Sequence, residues 1–230
     1  MKTLVVIPAR GGSKGVPRKN IKLLNKKPLI QYTIDAAQKV FQNEQICVST
    51  DDLEIKNIVE SLGLKVPFIR PAQLATDRTG TSEVLLHAIE YYEKRGYFSE
   101  VLVLLQATSP FRTDKHIREA LNEFDENCEM VASVLETKSN PYYVLKEENL
   151  NGWLVNSKDE IFTRRQDCPK VYELNGAIYI INVKALKEKK YLTDFVRIKK
   201  YVMDEKSSHD IDSNFDWKIA EILVCENSTK

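Results

Sequence analysis

Residues 4–20 read Leu-Val-Val-Ile-Pro-Ala-Arg-Gly-Gly-Ser-Lys-Gly-Val-Pro-Arg-Lys-Asn, and this stretch decides the fold. Its first four residues are aliphatic and stop at Pro8, which is typical of a short buried strand. A loop rich in glycine and basic residues follows at once. Similar apolar runs recur at 46–49, 66–69 and 101–105, and we predict a strand at each of them.

Helical periodicity fills the gaps between these strands. Apolar residues at three- and four-residue spacing predict one-sided helices over 28–40, 53–62, 81–94 and 113–124. This alternation predicts an α/β fold with a mostly parallel sheet, helices on both of its faces, and ligands at the carboxyl ends of the strands.

The second half of the chain is less regular. From 136 to 171 the alternation gives way to polar pieces with scattered aromatic residues, which we interpret as an excursion of short β segments. We predict further strands at 176–183 and 197–203 and a last helix at about 214–225. The whole chain, 1–230, is thus expected to form one main domain with a small insertion.

Composition excludes several function classes. The chain has 230 residues, 43% of them hydrophobic and 29% charged, with a formal charge of +1, so it offers no overall electrostatic attraction for nucleic acid or an anionic membrane. The four cysteines form no CxxC pair, which argues against structural zinc and is typical of reduced thiols in a cytoplasmic protein. The longest aliphatic run is far too short to cross a bilayer.

The first loop carries an unusual charge asymmetry. Arg10, Lys14 and Lys19 supply positive charge, and no acidic residue precedes Asp35. Paired glycines let backbone amides approach an anion, so the loop suits a nucleoside triphosphate. It matches neither the Walker A pattern nor GxGxxG. The alternative is a solvated basic loop whose glycines only make a turn.

Two carboxylates near the end of the chain, Asp210 and Asp212, are two residues apart. An extended backbone projects both to the same side, where they can hold Mg²⁺ against substrate phosphates. The alternative is helix capping by Asp212 or Ser213, with Asp216 in the first helical turn.

Three further groups have functional and structural interpretations. Residues 106–112 follow a strongly hydrophobic strand, so their polar groups are expected at the edge of the sheet where ligands bind. The alternative for Thr108 is an ordinary turn. The arginine pair at 164–165 can bind a carboxylate of a ligand or form an exposed salt bridge. The string at 175–179 can bind sugar hydroxyls or form a bulge followed by a core Tyr. We assign none of the three histidines to catalysis.

Taken in order, these motifs resemble those of acylneuraminate cytidylyltransferases, also called CMP-sialic acid synthetases. The resemblance rests on residues 7–20, 49–52, 70–72, 105–112, 164–167, 175–179 and 210–212, and it covers almost the whole chain. It implies a Rossmann-like nucleotidyltransferase domain, a protruding dimerisation element at about 137–172, and Mg²⁺-dependent transfer from CTP to a nine-carbon 2-keto sugar acid with release of pyrophosphate.

The resemblance also implies roles for particular residues. The catalytic set is Arg10, Lys14, Lys19, Asp210 and Asp212, with the two aspartates as metal ligands. The nucleotide-binding set is Arg10, Gly11, Gly12, Ser13, Lys14, Lys19, Asn20, Arg70, Asp77 and Thr81. The sugar-binding set is Gln106, Thr108, Arg165, Asn175 and Tyr179. Among these, Arg165 is expected to reach the sugar site of the partner subunit in a homodimer.

Two other functions stay open at this point. One is an eight-carbon acid cytidylyltransferase of the CMP-KDO synthetase type, and the other is a non-catalytic module whose basic loop binds RNA or a phosphate. Ala107, Phe111, Tyr142 and Tyr143 depart from the pattern of many relatives on the sugar side. The preferred acid, whether N-acetylneuraminate, KDN, legionaminate or pseudaminate, is therefore not predicted.

Overall fold

The computed structural model describes residues 1–158 and 162–227. Its strands are β1 (Thr3–Pro8), β2 (Leu23–Leu24), β3 (Lys27–Pro28), β4 (Ile46–Ser49), β5 (Val101–Leu105), β6 (Met130–Glu136), β7 (Lys146–Glu148), β8 (Leu154–Asn156), β9 (Tyr172–Asn182) and β10 (Ile198–Val202). Its α-helices are α1 (Leu29–Gln38), α2 (Leu53–Ser61), α3 (Thr81–Glu93), α4 (Asp114–Glu123), α5 (Val183–Lys189) and α6 (Asn214–Asn227). All five helices predicted from periodicity are confirmed, with small shifts at their ends.

Six strands form the central sheet in the order β10-β6-β9-β5-β1-β4. β1 is parallel to β4 and β5, and β10 is parallel to β6, whereas β9 is antiparallel to both of its neighbours. The predicted α/β fold with a mostly parallel sheet is therefore confirmed. Because β9 runs the other way, its first half lies beside the carboxyl end of β5.

Both faces of the sheet are covered by helices. Along β1 the alternate residues Val5 and Ile7 pack into a cluster with α1 and α4, while Leu4 and Val6 pack into a cluster with α3 and α5. All four side chains are fully buried. Burial on both faces explains why the strand is continuously aliphatic rather than alternating with polar residues.

The strand predicted at 66–69 is wrong. Only Ile69 of this segment makes a bridge, to Thr50, and the rest is irregular. Pro67 has no amide hydrogen to donate, so the segment cannot continue a hydrogen-bonded ladder.

Four elements were missed by periodicity: β6, α5, β2 and β3. β6 is almost wholly buried and lies between β10 and β9, yet Ala132 and Ser133 dilute its apolar signal. α5 follows β9 directly, and β2 and β3 form a small hairpin whose turn places Asn25 and Lys26 at positive φ. A polar turn of this kind favours a tight hairpin, but without a glycine its sequence signal is weak.

The excursion after β6 contains the short β segments that the sequence predicted. β7 and β8 pair only with each other, and all six of their residues are exposed. Residues 159–161 of the predicted 137–172 insertion lie outside the described part of the chain. Within the described residues, no helix is long and apolar enough to span a membrane.

Candidate active site

A cavity of about 600 Å³ opens at the carboxyl ends of β1 and β5. This first cavity lies at the edge of the sheet where ligands bind in folds of this kind. It is lined by four cations, three carboxylates and a ring of small polar residues. Its lining residues include Arg10, Ser13, Lys14, Gly15, Lys19, Asn20, Arg70, Thr76, Asp77, Thr79, Thr81, Gln106, Thr108, Gly176, Asp210 and Asp212.

The basic loop after β1 is held in place by the start of α2. The Gly11 amide donates to Asp51 Oδ1 at 3.1 Å, and Arg18 Nη1 donates to Asp52 Oδ2 at 2.5 Å. Asp52 is also the N-cap of α2, and the bond from Arg18 lowers the pKa of its carboxyl group. Asn20 closes the loop by donating to the Arg10 carbonyl at 3.0 Å. The loop is therefore fixed by specific contacts rather than merely solvated.

Two cations of the loop share one carboxylate. Arg10 Nη1 lies 2.8 Å from Asp77 Oδ1, and Lys14 Nζ lies 2.5 Å from Asp77 Oδ2. The bonds from Lys14 and Arg10 lower the pKa of Asp77. Asp77 thus lies among the expected phosphate-binding groups.

Arg70 lies beneath the first cavity and is almost fully buried, with 4% of its surface exposed. Its Nε donates to Ser49 Oγ at 3.0 Å, Nη2 donates to the Ser49 carbonyl, and Nη1 donates to the Leu74 carbonyl at 3.4 Å. Burial is the main cause that lowers the pKa of this guanidinium. Most of its donors are used within the protein, so Arg70 shapes the cavity wall.

The acidic pair lies at the rim of the same cavity and contacts the basic loop. Lys19 Nζ donates to the Ile211 carbonyl and lies 3.0 Å from Asp212 Oδ1. Ser109 Oγ donates to Asp210 Oδ1 at 3.3 Å. Burial raises the pKa of Asp210, and the nearby charge of Asp212 raises it further.

Capping of α6 uses Ser213, Asp216 and the Asp212 amide, and not the carboxylates of the acidic pair. Asp216 Oδ2 accepts from the Ser213 amide at 2.7 Å, and Ser213 Oγ accepts from the Asp216 amide at 3.3 Å. The carboxylates of Asp210 and Asp212 remain directed to the cavities.

Two carboxylates beside a phosphate-sized cavity fit Mg²⁺, which takes one or two protein carboxylates and completes its shell with water and substrate oxygens. Among the described residues there is no group of three or more His, Cys, Asp or Glu that could hold a metal by itself. The pair Asp210 and Asp212 is thus suited to a metal shared with substrate phosphates rather than to a structural ion.

A second cavity of about 510 Å³ adjoins the first. The two cavities share Gly176, Asp210 and Asp212. Among the described residues that line the second cavity, none is Lys or Arg. Its lining comprises Leu135, Glu173, Leu174, Asn175, Gly176, Tyr179, Glu205, Ser208, His209, Asp210 and Asp212.

The residues expected to bind sugar are divided between several places. Gln106 and Thr108 line the first cavity rather than the second, and Tyr179 lines the second, where burial raises the pKa of its phenol. Asn175 also borders the second cavity. Arg165 lines neither cavity, and its Nη2 donates to the Lys138 carbonyl at 3.1 Å.

The side chain of Asn175 is largely occupied within the protein. Its Oδ1 accepts from Ser133 Oγ at 2.5 Å and from the Ala177 amide at 3.1 Å, while its Nδ2 donates to Ser208 Oγ at 2.9 Å. These bonds join β6, β9 and the loop before the acidic pair. Asn175 therefore shapes the second cavity.

Arg112 has a place that sequence reasoning did not assign. It is fully buried at the end of the loop after β5, and its Nη1 donates to the Gln106 carbonyl at 3.1 Å and to the Ala177 carbonyl at 2.9 Å. Its Nη2 donates to Thr33 Oγ1 at 2.6 Å. Burial lowers the pKa of the guanidinium to about 9, so it stays charged at neutral pH. This cation joins the loop after β5 to β9 and α1.

With this geometry established, comparison with known proteins assigns the family. The sequence pattern of the family described as Cytidylyltransferase matches residues 4–222. The chain belongs to this family. It is 39% identical to a CMP-N,N'-diacetyllegionaminic acid synthase of Campylobacter jejuni, over 96% of this chain and 94% of that protein. A protein of the same description from Legionella pneumophila is 35% identical, over 97% of each chain.

Other relatives carry other descriptions. The N-acylneuraminate cytidylyltransferase of Escherichia coli is 35% identical over 95% of this cytidylyltransferase but 51% of its own length. Among solved structures, a CMP:2-keto-3-deoxy-manno-octonic acid synthetase complexed with CTP matches 99% of this chain and 100% of that one. Its TM-score is 0.73 at 17% identity, which shows a shared fold.

Proposed function

We propose that this cytidylyltransferase joins CTP to a nine-carbon 2-keto sugar acid of the sialic acid type and releases pyrophosphate. The observation that carries the proposal is that two cavities meet at Asp210 and Asp212. The first is rich in cations, and the described lining of the second contains no Lys or Arg. A nucleotidyl transfer needs this arrangement, because the attacking hydroxyl of the acid must approach the α-phosphorus of CTP from the side opposite the departing pyrophosphate.

The first cavity is assigned to CTP. Arg10, Lys14 and Lys19 line this cavity and are placed to neutralise the triphosphate. Thr81, at the start of α3, and the wall above Arg70 are left for the cytidine. When bound by Asp210 and Asp212, Mg²⁺ would supply charge neutralisation at the phosphate oxygens.

The second cavity is assigned to the sugar acid. In the reaction the anomeric hydroxyl oxygen bonds to the α-phosphorus, its proton is released, and the bond from that phosphorus to the bridging oxygen breaks as pyrophosphate leaves. Tyr179, Ser208 and His209 offer polar atoms along the sugar, and Leu135 and Leu174 offer apolar contact. Positioning and charge account for the rate, and no covalent enzyme intermediate is required.

We also propose a homodimer with shared active sites. The carboxylate of a 2-keto acid favours a guanidinium, yet the described lining of the second cavity contains no Arg or Lys. Arg165, exposed in the excursion, is our candidate for this contact in the partner's site. Leu150, Trp153 and Leu154 of the β7–β8 hairpin are largely exposed, and such a patch is typical of an interface. A two-stranded hairpin alone is also marginally stable.

The reaction is tested by pyrophosphate release with CTP, Mg²⁺ and a panel of 2-keto acids, with UTP, GTP and ATP as alternatives. We expect turnover with CTP and at least one nine-carbon acid, and the panel then identifies the acid. Turnover with the eight-carbon acid alone would replace the proposal by the CMP-KDO synthetase function. If the folded protein shows no turnover but binds RNA in a salt-sensitive way that CTP does not displace, the proposed reaction is replaced by the function of a non-catalytic module.

The metal-binding role of the acidic pair is tested by Asp210→Ala. We expect kcat to fall by at least about a hundredfold, because the charge on the reacting phosphate is no longer offset. Asp35→Ala is the matched control, since Asp35 pairs with Lys27 and lines neither cavity. Near wild-type kcat in Asp210→Ala would exclude this residue from the reaction.

The shared site is tested by mixing two inactive variants, Arg165→Ala and Asp210→Ala, under conditions that exchange subunits. Each mixed dimer would contain one intact site, so we expect recovery of about a quarter of wild-type activity. If Arg165 acts within its own chain, mixing recovers no activity. If Arg165 does not contact the sugar at all, Arg165→Ala is active by itself.

A further inference from the structure

The segment that carries Asp77 spans the mouth of the first cavity. We call residues 71–80, between Arg70 and α3, the strap. It is held by the bond from Arg70 to the Leu74 carbonyl and by internal bonds of Thr79, whose Oγ1 lies 2.8 Å from Thr76 Oγ1 and donates to the Gln73 carbonyl at 3.0 Å. These contacts fix the strap at both ends of the turn that presents Asp77 to the basic loop.

Asp77 differs from the other two carboxylates of the first cavity. Asp210 and Asp212 lie at its junction with the second cavity, whereas Asp77 lies between Arg10 and Lys14 and contacts both. Its side chain is 47% exposed, so burial does not force these pairs. The carboxylate thus satisfies the two cations that a triphosphate would otherwise use.

We propose that Asp77 is a counter-anion that a nucleoside triphosphate displaces from Arg10 and Lys14. The inference rests on the proposed function, because it takes the basic loop as the phosphate site. A carboxylate and a phosphate cannot both lie against the same two cations without strong repulsion. Binding of the triphosphate therefore releases Asp77 and frees the strap at its centre.

The counter-anion raises the concentration that any anionic ligand needs to occupy the loop, and a ligand of higher charge overcomes it at a lower concentration. The free energy needed to displace Asp77 is the same for every ligand, but the attraction of Arg10 and Lys14 for the ligand grows with the charge of the ligand. A triphosphate or pyrophosphate therefore occupies the loop at concentrations at which orthophosphate leaves it to Asp77. The predicted consequence is that the loop resists the small anions of the surrounding solution.

The test is Asp77→Asn, which keeps the shape of the side chain and removes its charge. Binding of inorganic pyrophosphate, and separately of orthophosphate, is measured by calorimetry without Mg²⁺. We expect both to bind the variant about three- to tenfold more tightly than wild type, as the loss of two competing exposed ion pairs implies. Asp35→Asn is the matched control and should leave both affinities unchanged.

A second measurement follows the strap directly. Hydrogen exchange of residues 71–80 is expected to rise in wild type when pyrophosphate is added, because Asp77 is released. In Asp77→Asn it is expected to be high already and to change little.

The outcomes separate this inference from the proposed function. Wild-type binding of pyrophosphate with equal or weaker binding by Asp77→Asn overturns the counter-anion and shows that Asp77 assists the ligand, while the phosphate site stands. Failure of wild type and variant alike to bind pyrophosphate or CTP overturns both.

Discussion

Replacing Gly15 by alanine is expected to separate the basic loop from the acidic pair. A Cβ at residue 15 would lie 1.8 Å from the Asp212 carbonyl oxygen and 3.0 Å from its carbonyl carbon. Reaching an ordinary contact of 3.4 Å needs a shift of about 1.6 Å, and the obstacle is backbone, which cannot rotate away. Displacements of about 1 Å at a catalytic site cost about a hundredfold in rate, so we expect kcat to fall by at least that factor.

The comparison variant is Gly12→Ala in the same loop; because Gly12 belongs to the expected nucleotide site, an effect there is expected in the KM for CTP, whereas Gly15→Ala is expected to lower kcat. A Cβ at residue 12 meets no atom within 4 Å, so the same chemical change adds no clash there. Steady-state pyrophosphate release gives kcat for both variants, and thermal unfolding shows whether each is folded. A Gly15→Ala enzyme with near wild-type kcat, or an equal loss in Gly12→Ala, would refute the reasoning, because the effect is assigned to contact with Asp212 alone.

Two further predictions concern stability. Arg112→Met removes the guanidinium bonds to the Ala177 carbonyl, Thr33 Oγ1 and the Gln106 carbonyl, of which the last still accepts from Thr33 Oγ1. We expect the free energy of unfolding in urea to fall by about 3 kcal/mol, and to fall less in Arg112→Lys; an unchanged midpoint in Arg112→Met would contradict this. Glu129 accepts from the Val196 and Arg197 amides, and these bonds with the Lys189 pair lower its pKa to about 2. The contribution of Glu129 to the free energy of unfolding is therefore full above the unfolded pKa of 4.5 and is lost as the pH falls towards 2. Glu129→Gln should be less stable than wild type at pH 7, and the difference in stability should shrink on acidification. A constant difference from pH 7 to pH 3 would count against this prediction.

The fold was predictable where burial is complete on both faces. β1 and β5 carry uninterrupted aliphatic runs because helices cover them on either side. The same rule led to the wrong strand at 66–69, where Pro67 prevents the ladder. It also missed β6, whose buried Ser133 hydroxyl donates to Asn175 Oδ1 and accepts from the Ile178 amide. Pairing of polar groups across the sheet cannot be deduced from periodicity, since it depends on a residue 42 positions away.

The site was predictable as a set of residues but not as a network. Charge asymmetry and spacing predicted the basic loop and the acidic pair, and the structure brings both to one cavity. The link through Lys19, the contact of Gly15 with Asp212 and the position of Asp77 all join residues that are distant in sequence. Only the folded chain shows that Gln106 and Thr108 face the first cavity and that the side chain of Asn175 is used internally.

The position of the acidic pair is set by a hydrophobic cluster as well as by polar contacts. Ile211 lies between the two aspartates and is fully buried with Val16 of the basic loop and Trp217 of α6. Lys22 lies 4.0 Å above the Trp217 ring and covers this cluster from the other side. Because Ile211 points inward, its neighbours at 210 and 212 must point outward to the cavities. The alternation that places two carboxylates at the cavities is therefore maintained by one buried isoleucine, which packs against Val16 of the basic loop.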